Sequence, residues 1–202
     1  MQDDAPIDAI DLPPDVGVAF QFVLDLHARP DTLGEWVEAV REALADQDLE
    51  ITVETLCTDD DGLHVARYGD ESQAFICVLD ALLVPFAPGV EGPVHVESTP
   101  PNGGPQVSFD VASEAVTVDP PEAMISLGAL GSAGRNRTDP PTPKRTYQEL
   151  CPYVHAFPSR DAYEAWAASV DAATTAVPAA RGFDVAAALA GGERVFEGGD
   201  VE

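Results

Sequence analysis

Apolar and polar positions follow two rhythms along this chain, and the rhythms divide it into elements. Residues 1–31 are dense in aspartate and proline, although Val16 to Leu26 is apolar enough to pack, and they predict a partly ordered lead-in. A helix follows: Thr32 and Glu35 form a capping-box pattern, and Leu33, Trp36, Val37, Val40 and Leu44 make one apolar stripe. Residues 49–57 alternate as a strand, Asp59 to Gly62 reads as a turn, and 63–68 returns as the hairpin partner. A second, more apolar helix is expected over 72–84, stopped near Pro85.

A β-rich stretch comes next. Residues 94–98 alternate, Pro100 to Gly104 is a turn, 107–111 alternate again, and shorter strands cover 115–118 and 123–128. Residues 131–146 form a Gly/Pro/Arg/Thr loop without apolar periodicity. After Cys151 a short strand runs to Phe157, then a helix over 159–171 carries Tyr163, Trp166 and Val170. A short alanine-rich helix over 183–190 precedes a frayed end. The pattern predicts an α+β fold, a mostly antiparallel sheet flanked by helices. It is organised as an N-terminal lead-in and helix (1–60), a core (61–192) and a tail (193–202).

Composition adds an extreme charge. Thirty-six acidic against ten basic residues give a formal net charge of −26, and Lys144 is the sole lysine. Such a chain repels nucleic acid and anionic membrane surfaces, so neither is an expected partner. The acids are spread throughout while apolar periodicity continues between them, which argues for a folded protein with an acidic surface. That surface suits a halophilic, salt-rich cytoplasm, where screening relieves self-repulsion. A cytoplasmic location is expected, with no signal peptide and no run long enough to span a bilayer. The odd cysteine count then favours reduced thiols.

Sulfur is scarce, and two of the three cysteines draw attention. Cys77 and Asp80 are spaced i, i+3, so on a helix they share a face and both reach one bound atom. An aspartate in so apolar a helix is a candidate proton donor. The competing reading makes Cys77 a small core residue and Asp80 a buried acid satisfied by backbone. Cys151 follows a loop holding Arg135, Arg137, Lys144 and Arg145, four of the ten cations, which either stabilise a thiolate or pair with surface carboxylates. His155 reads as a packed histidine more readily than as a ligand, and Cys57 as an exposed or edge thiol. No C-x-x-C or H-E-x-x-H pattern occurs, which counts against structural zinc and against thiol oxidoreductase chemistry. Gly103-Gly104 falls in a hairpin turn rather than a phosphate loop, and the Asn136-Arg137-Thr138 sequon has no role without secretion.

The run from Cys77 to Pro85 (CVLDALLVP) resembles the active-site helix of the alkylmercury (organomercurial) lyases. Cys151 with Val154-His155-Ala156-Phe157 resembles that family's second cysteine and its following strand. Between them Gly104 to Ser108, Val118-Asp119-Pro120 and Met124 to Leu127 match in order and spacing, and Ala165 to Ala167 and Gly182-Phe183 continue the likeness. The likeness covers residues 63–190. It departs at Ser98-Thr99-Pro100, where a structural cysteine is common, and at Pro152, where a second adjacent cysteine is usual. Residues 1–60 are also short for the family's winged-helix-like module, as in a diverged member.

The resemblance implies a lyase-like core that cleaves a carbon–mercury bond by protonolysis, giving a hydrocarbon and Hg(II). Cys77 would capture the organomercurial, Cys151 would complete the chelate, and Asp80 would shuttle protons to the leaving carbon. All three would touch mercury. Soft thiolates prefer this soft metal over oxygen or nitrogen ligands. No organic cofactor is implied; cytosolic thiols would accept the mercury, and a mercuric reductase would act downstream. The alternative is a binding or transfer protein for Hg(II) or Cu(I) on the same scaffold, which needs two thiolates but no acid.

Overall fold

The computed structural model of the chain describes residues 6–46, 50–112, 115–131 and 142–191. Two helices open the chain. Helix α1 (Pro14–Leu24) starts on a proline, whose fixed φ suits a first helical turn, and ends with Asp25 in the left-handed region at φ 56°. Its buried face is Val16, Ala19, Phe20 and Val23, so the apolar stretch expected to pack in a loose lead-in is a full helix. Helix α2 (Leu33–Asp46) follows, and Thr32 Oγ1 accepts from Glu35 N at its start, as the capping pattern predicts.

The strand expected over 49–57 does not form. Thr52 and Thr55 cap one another around a 3-10 turn at Val53–Thr55, and Thr55 Oγ1 donates to Glu50 O, so side-chain hydroxyls satisfy the backbone in place of a ladder. The partner of β1 (His64–Tyr68) is instead β2 (Glu71–Phe75), which occupies the first part of the expected 72–84 helix. The turn between them is Gly69-Asp70, with Gly69 at φ 54°, a tight hairpin that glycine accommodates without strain. Only the second part of that segment is helical, as α3 (Val78–Leu83), continued by a 3-10 turn over Val84–Phe86.

Strands β3 (Val94–Ser98), β4 (Val107–Ala112) and β5 (Ala115–Asp119) complete a five-stranded antiparallel sheet in the order β2-β1-β3-β4-β5. Strand β6 (Met124–Leu130) centres a second sheet, with β7 (Ala156–Phe157) on one side and β8 (Ala172–Pro178) on the other. The architecture is α+β, every strand pair is antiparallel, and helices flank both sheets. Strand β8 was not legible because its residues do not alternate apolar with polar and its three alanines favour helix; pairing along the whole of β6 supplies its stability. Helix α4 (Pro143–Leu150) takes the end of the segment read as a loop, begun by Thr142 as cap and Pro143 as first residue. Helix α5 (Arg160–Ala167) stops four residues before the expected end, and α6 (Ala179–Leu189) starts four residues early. The predicted tail at 193–202 lies outside the described residues.

Residues 124–129 of β6 are all buried, because helices α1, α4 and α6 pack against this strand. One apolar core runs from Ile10 to Leu189, with a smaller cluster of Phe157, Tyr163 and Trp166 beside it. The approach of α6 to β6 is close: a Cβ on Gly182 would meet Ile125 Cδ1 at 2.2 Å.

A buried chain of hydrogen bonds joins the sheets. His155 Nε2 lies 2.8 Å from Pro152 O, His155 Nδ1 lies 3.0 Å from His64 Nε2, and His64 Nδ1 lies 2.7 Å from Ser98 Oγ. A carbonyl only accepts, so His155 carries its proton on Nε2 and accepts at Nδ1. His64 therefore donates from Nε2, and the Ser98 hydroxyl donates to His64 Nδ1. Both imidazoles are neutral: burial holds His155 down at about 4, and burial followed by the neighbouring His155 holds His64 well below its ordinary value.

Two outcomes are expected. Gly182→Ala should lower the urea-unfolding free energy by about 1 kcal/mol net, since overpacking against Ile125 outweighs the helix propensity gained; unchanged or raised stability would show that β6 yields. His155 titrates at about 4 folded against 6.5 in a model chain. The stability its neutral form carries is complete above pH 6.5 and is lost as the pH falls to 4, about 3 kcal/mol across the window. The margin of wild type over His155→Gln should therefore shrink by about 3 kcal/mol from pH 7 to pH 4. A pH-independent margin would mean that the imidazole protonates in place.

Candidate active site

Three segments far apart in sequence are stitched together by main-chain hydrogen bonds. Ile76 N donates to Cys57 O at 3.1 Å, and Thr58 bridges to Phe75, so the segment carrying Cys57 lies along the end of β2. Val78 N donates to Val154 O at 3.1 Å, tying the start of α3 to the chain after Cys151. Ser126 Oγ on β6 donates to Tyr153 O and accepts from His155 N, both at 2.9 Å, and holds that chain from the other side. Cys77 is the N-cap of α3, Asp80 is its third residue, and Cys151 opens the 3-10 turn that follows α4.

The side chains converge accordingly. Cys151 Sγ donates to Asp80 Oδ2 at 3.9 Å. Cys57 N donates to Asp80 Oδ2 at 3.3 Å. Cys57 Sγ, an Asp80 carboxylate oxygen and Cys151 Sγ all lie within 4.8 Å of one another. Cys77, Asp80 and Cys151 are each buried, at 5%, 8% and 5% exposure, while Cys57 is half-buried; all three thiols are free.

Burial dominates the electrostatics. It pushes the Asp80 carboxyl up to about 7, against the opposing pull of hydrogen bonds from Cys57 N and Cys151. Cys151 is pushed far above the usual thiol range, first by its hydrogen bonds with Cys57 and Cys77 and then by burial. Cys57 is lowered, first by its interaction with the Cys151 side chain and against the opposing effects of burial and the Asp80 charge. Tyr147, raised to about 12 mainly by burial, is a neutral phenol beside them.

Cys77, Asp80 and Cys151 line a cavity of about 340 Å³ whose other walls are largely apolar. Phe20 and Trp36 contribute a stacked pair with centroids 5.0 Å apart, and Leu83, Leu127 and Tyr147 face it from the remaining elements. An arrangement of soft sulfur donors and one acid of near-neutral pKa under an apolar chamber suits a hydrophobic molecule carrying a soft metal.

The sequence-chosen trio is thus brought together, and one member of the cluster was passed over. Cys57 was read as an edge thiol because 49–57 was assigned to a hairpin with 63–68. The hairpin signal that would have released it is Gly69-Asp70. His155 belongs to the histidine chain and packs edge-on to Trp166 at 5.6 Å, as expected for a packed histidine. Of the cation cluster, Arg145 pairs with Glu149 at 3.1 Å, while Arg135, Arg137 and the Lys144 side chain lie outside the described residues, as does Asn136. Gly103 and Gly104 sit at positive φ in the β3–β4 turn. Among the described residues no helix is long and apolar enough to cross a membrane.

The crystal structure of the mercury-bound form of MerB2 aligns with a TM-score of 0.48 at 11% identity, over 88% of this chain and 89% of that one. No curated protein matches the sequence. The family model described as alkylmercury lyase matches residues 57–191, well over half of the 202 residues, from the segment of Cys57 through the end of α6. The chain belongs to the alkylmercury lyase family.

Proposed function

We propose that this protein is an organomercurial lyase, cleaving the carbon–mercury bond by protonolysis with Cys77, Cys151 and Asp80. The observation that carries this reading is the placing of a buried carboxyl of pKa about 7 against Cys151 at the wall of an apolar cavity that Cys77 also lines. The cavity accepts the hydrocarbon group, and Cys77 sulfur bonds to mercury as the Hg–ligand bond breaks, the displaced ligand leaving with the Cys77 thiol proton, to give a Cys77–Hg–R adduct. Asp80 carboxylate then takes the Cys151 thiol proton across 3.9 Å, freeing Cys151 sulfur to bond to mercury. Two thiolates raise electron density on the metal-bound carbon, and Asp80 returns the proton to that carbon. The hydrocarbon leaves, Hg(II) stays between Cys77 and Cys151, and Asp80 is again ionised.

In this reading cytosolic thiols accept the mercury and a mercuric reductase acts after them. The acidic, lysine-poor composition fits a halophilic cytoplasm, so assays belong at high salt. A carrier of Hg(II) or Cu(I) would need the sulfurs but not the acid beside Cys151.

Anaerobic incubation with phenylmercury and excess thiol should release benzene over many turnovers. Cys77→Ser and Cys151→Ser should abolish it, and Asp80→Ala should slow it about 10²–10⁴-fold. Stoichiometric mercury binding without benzene would leave only the carrier. The pH profile gives a separate check. Asp80 must be ionised to accept the Cys151 proton, so kcat/KM should rise as the pH climbs through about 7, and that step should vanish in Asp80→Ala. A profile with no step there would remove Asp80 as the proton acceptor.

A further inference from the structure

We propose that Cys57 is a third sulfur ligand for mercury, one that takes Hg(II) from Cys151 and passes it to a thiol outside the protein. This rests on the reading that Cys77 and Cys151 hold the mercuric product. Three features of its placement support the role.

Its sulfur lies within 4.8 Å of both the Cys151 sulfur and an Asp80 carboxylate oxygen, so a metal held by Cys151 is already within its reach. It is half-buried, whereas the other two cysteines are 5% exposed. It is also absent from the cavity wall, which Cys77, Asp80 and Cys151 all line. The three sulfurs therefore grade from the chamber where an organomercurial fits to the side that solvent reaches. A residue that only filled space here would need no sulfur, and a two-thiolate product site would need no third donor in contact with Cys151. Soft metals exchange between thiolates by attack of an incoming sulfur, at a rate set by access.

The exchange balances within the cluster. After cleavage Asp80 is ionised, and it takes the Cys57 thiol proton. Cys57 sulfur bonds to mercury, giving three-sulfur coordination. The loaded site rests in this three-sulfur state; when an external thiol approaches, the Hg–Cys151 bond breaks, and Cys151 sulfur recovers a proton from Asp80 across their 3.9 Å contact. Mercury has moved from Cys151 to Cys57, one proton has moved the other way, and no oxidation state has changed. An external thiol repeats the exchange at Cys57, its proton ending on the released sulfur.

The test uses the full chain and mercuric chloride alone. Loaded anaerobically with one equivalent, wild type should show the thiolate-to-mercury absorption band and the longer Hg–S distance of three-sulfur coordination. Cys57→Ser should show a two-sulfur site and hand its mercury to excess glutathione about tenfold more slowly. Cys57→Ala should behave likewise, with near-ultraviolet circular dichroism confirming that both variants are folded. Two-sulfur coordination in wild type, or a variant matching wild type in both coordination and transfer rate, would overturn the proposal. Because inorganic mercury is the probe, the answer does not depend on benzene release. A protein that never cleaves phenylmercury would still report on Cys57, and a lyase with an unaltered Cys57→Ser product site would sink this proposal alone.

Discussion

The burial of one carboxyl group, that of Asp80, is the constraint on which the rest of the site depends. An acid in an apolar interior is costly to ionise, and ordinarily such a group is either neutralised or paired with a cation. Here its partners are a backbone amide from Cys57 and a thiol from Cys151, and neither supplies positive charge. The two hydrogen bonds offset part of the burial penalty, which leaves the group near the middle of its titration at neutral pH. With a paired arginine the carboxylate would be fixed as an anion; with no donors at all it would be fixed as an acid.

Holding that balance requires three chain segments in register. The Cys57 strand-like segment, the N-terminus of α3 and the turn after α4 are each short, and none would keep its shape alone. Backbone hydrogen bonds from Ile76 and Val78 tie them pairwise, and the Ser126 hydroxyl anchors the third to the fully buried β6. Behind them the Ser98–His64–His155 chain ends on the carbonyl of Pro152, next to Cys151. Its protons run in one direction, so it braces the cysteine turn from the five-stranded sheet without adding charge to the site. Helices α1 and α2 supply part of the cavity wall, so the N-terminal helices and the family-matching region share one core.

The fold class was legible because the apolar stripes of α2 and the alternation of β3, β4 and β6 are strong local signals. The errors came where two local signals competed. Thr52 and Thr55 satisfy the backbone through their hydroxyls, and this defeats an alternation that otherwise reads as strand. Gly69-Asp70 closes a hairpin inside what looks like the approach to a helix. Strand β8 offers Thr174, Thr175 and Val177 but no apolar–polar alternation, and pairing with β6 fixes it as a strand. Spacing marks Cys77 and Asp80 as a pair, but only the family likeness joins Cys151 to them, because it is far from both in sequence. Cys57 carried no such mark, and only the correct hairpin places it against Asp80.

The histidine chain has one further consequence. With both imidazoles locked neutral, the buried groups of the site able to hold a mobile proton are the thiols and the Asp80 carboxyl. In the proposed reaction the hydrogen that ends on carbon enters as a thiol hydrogen of the protein itself, relayed once. Water is then not a reactant in the cleavage step. A largely apolar chamber, poorly suited to a hydrolase, is therefore a natural setting for this chemistry.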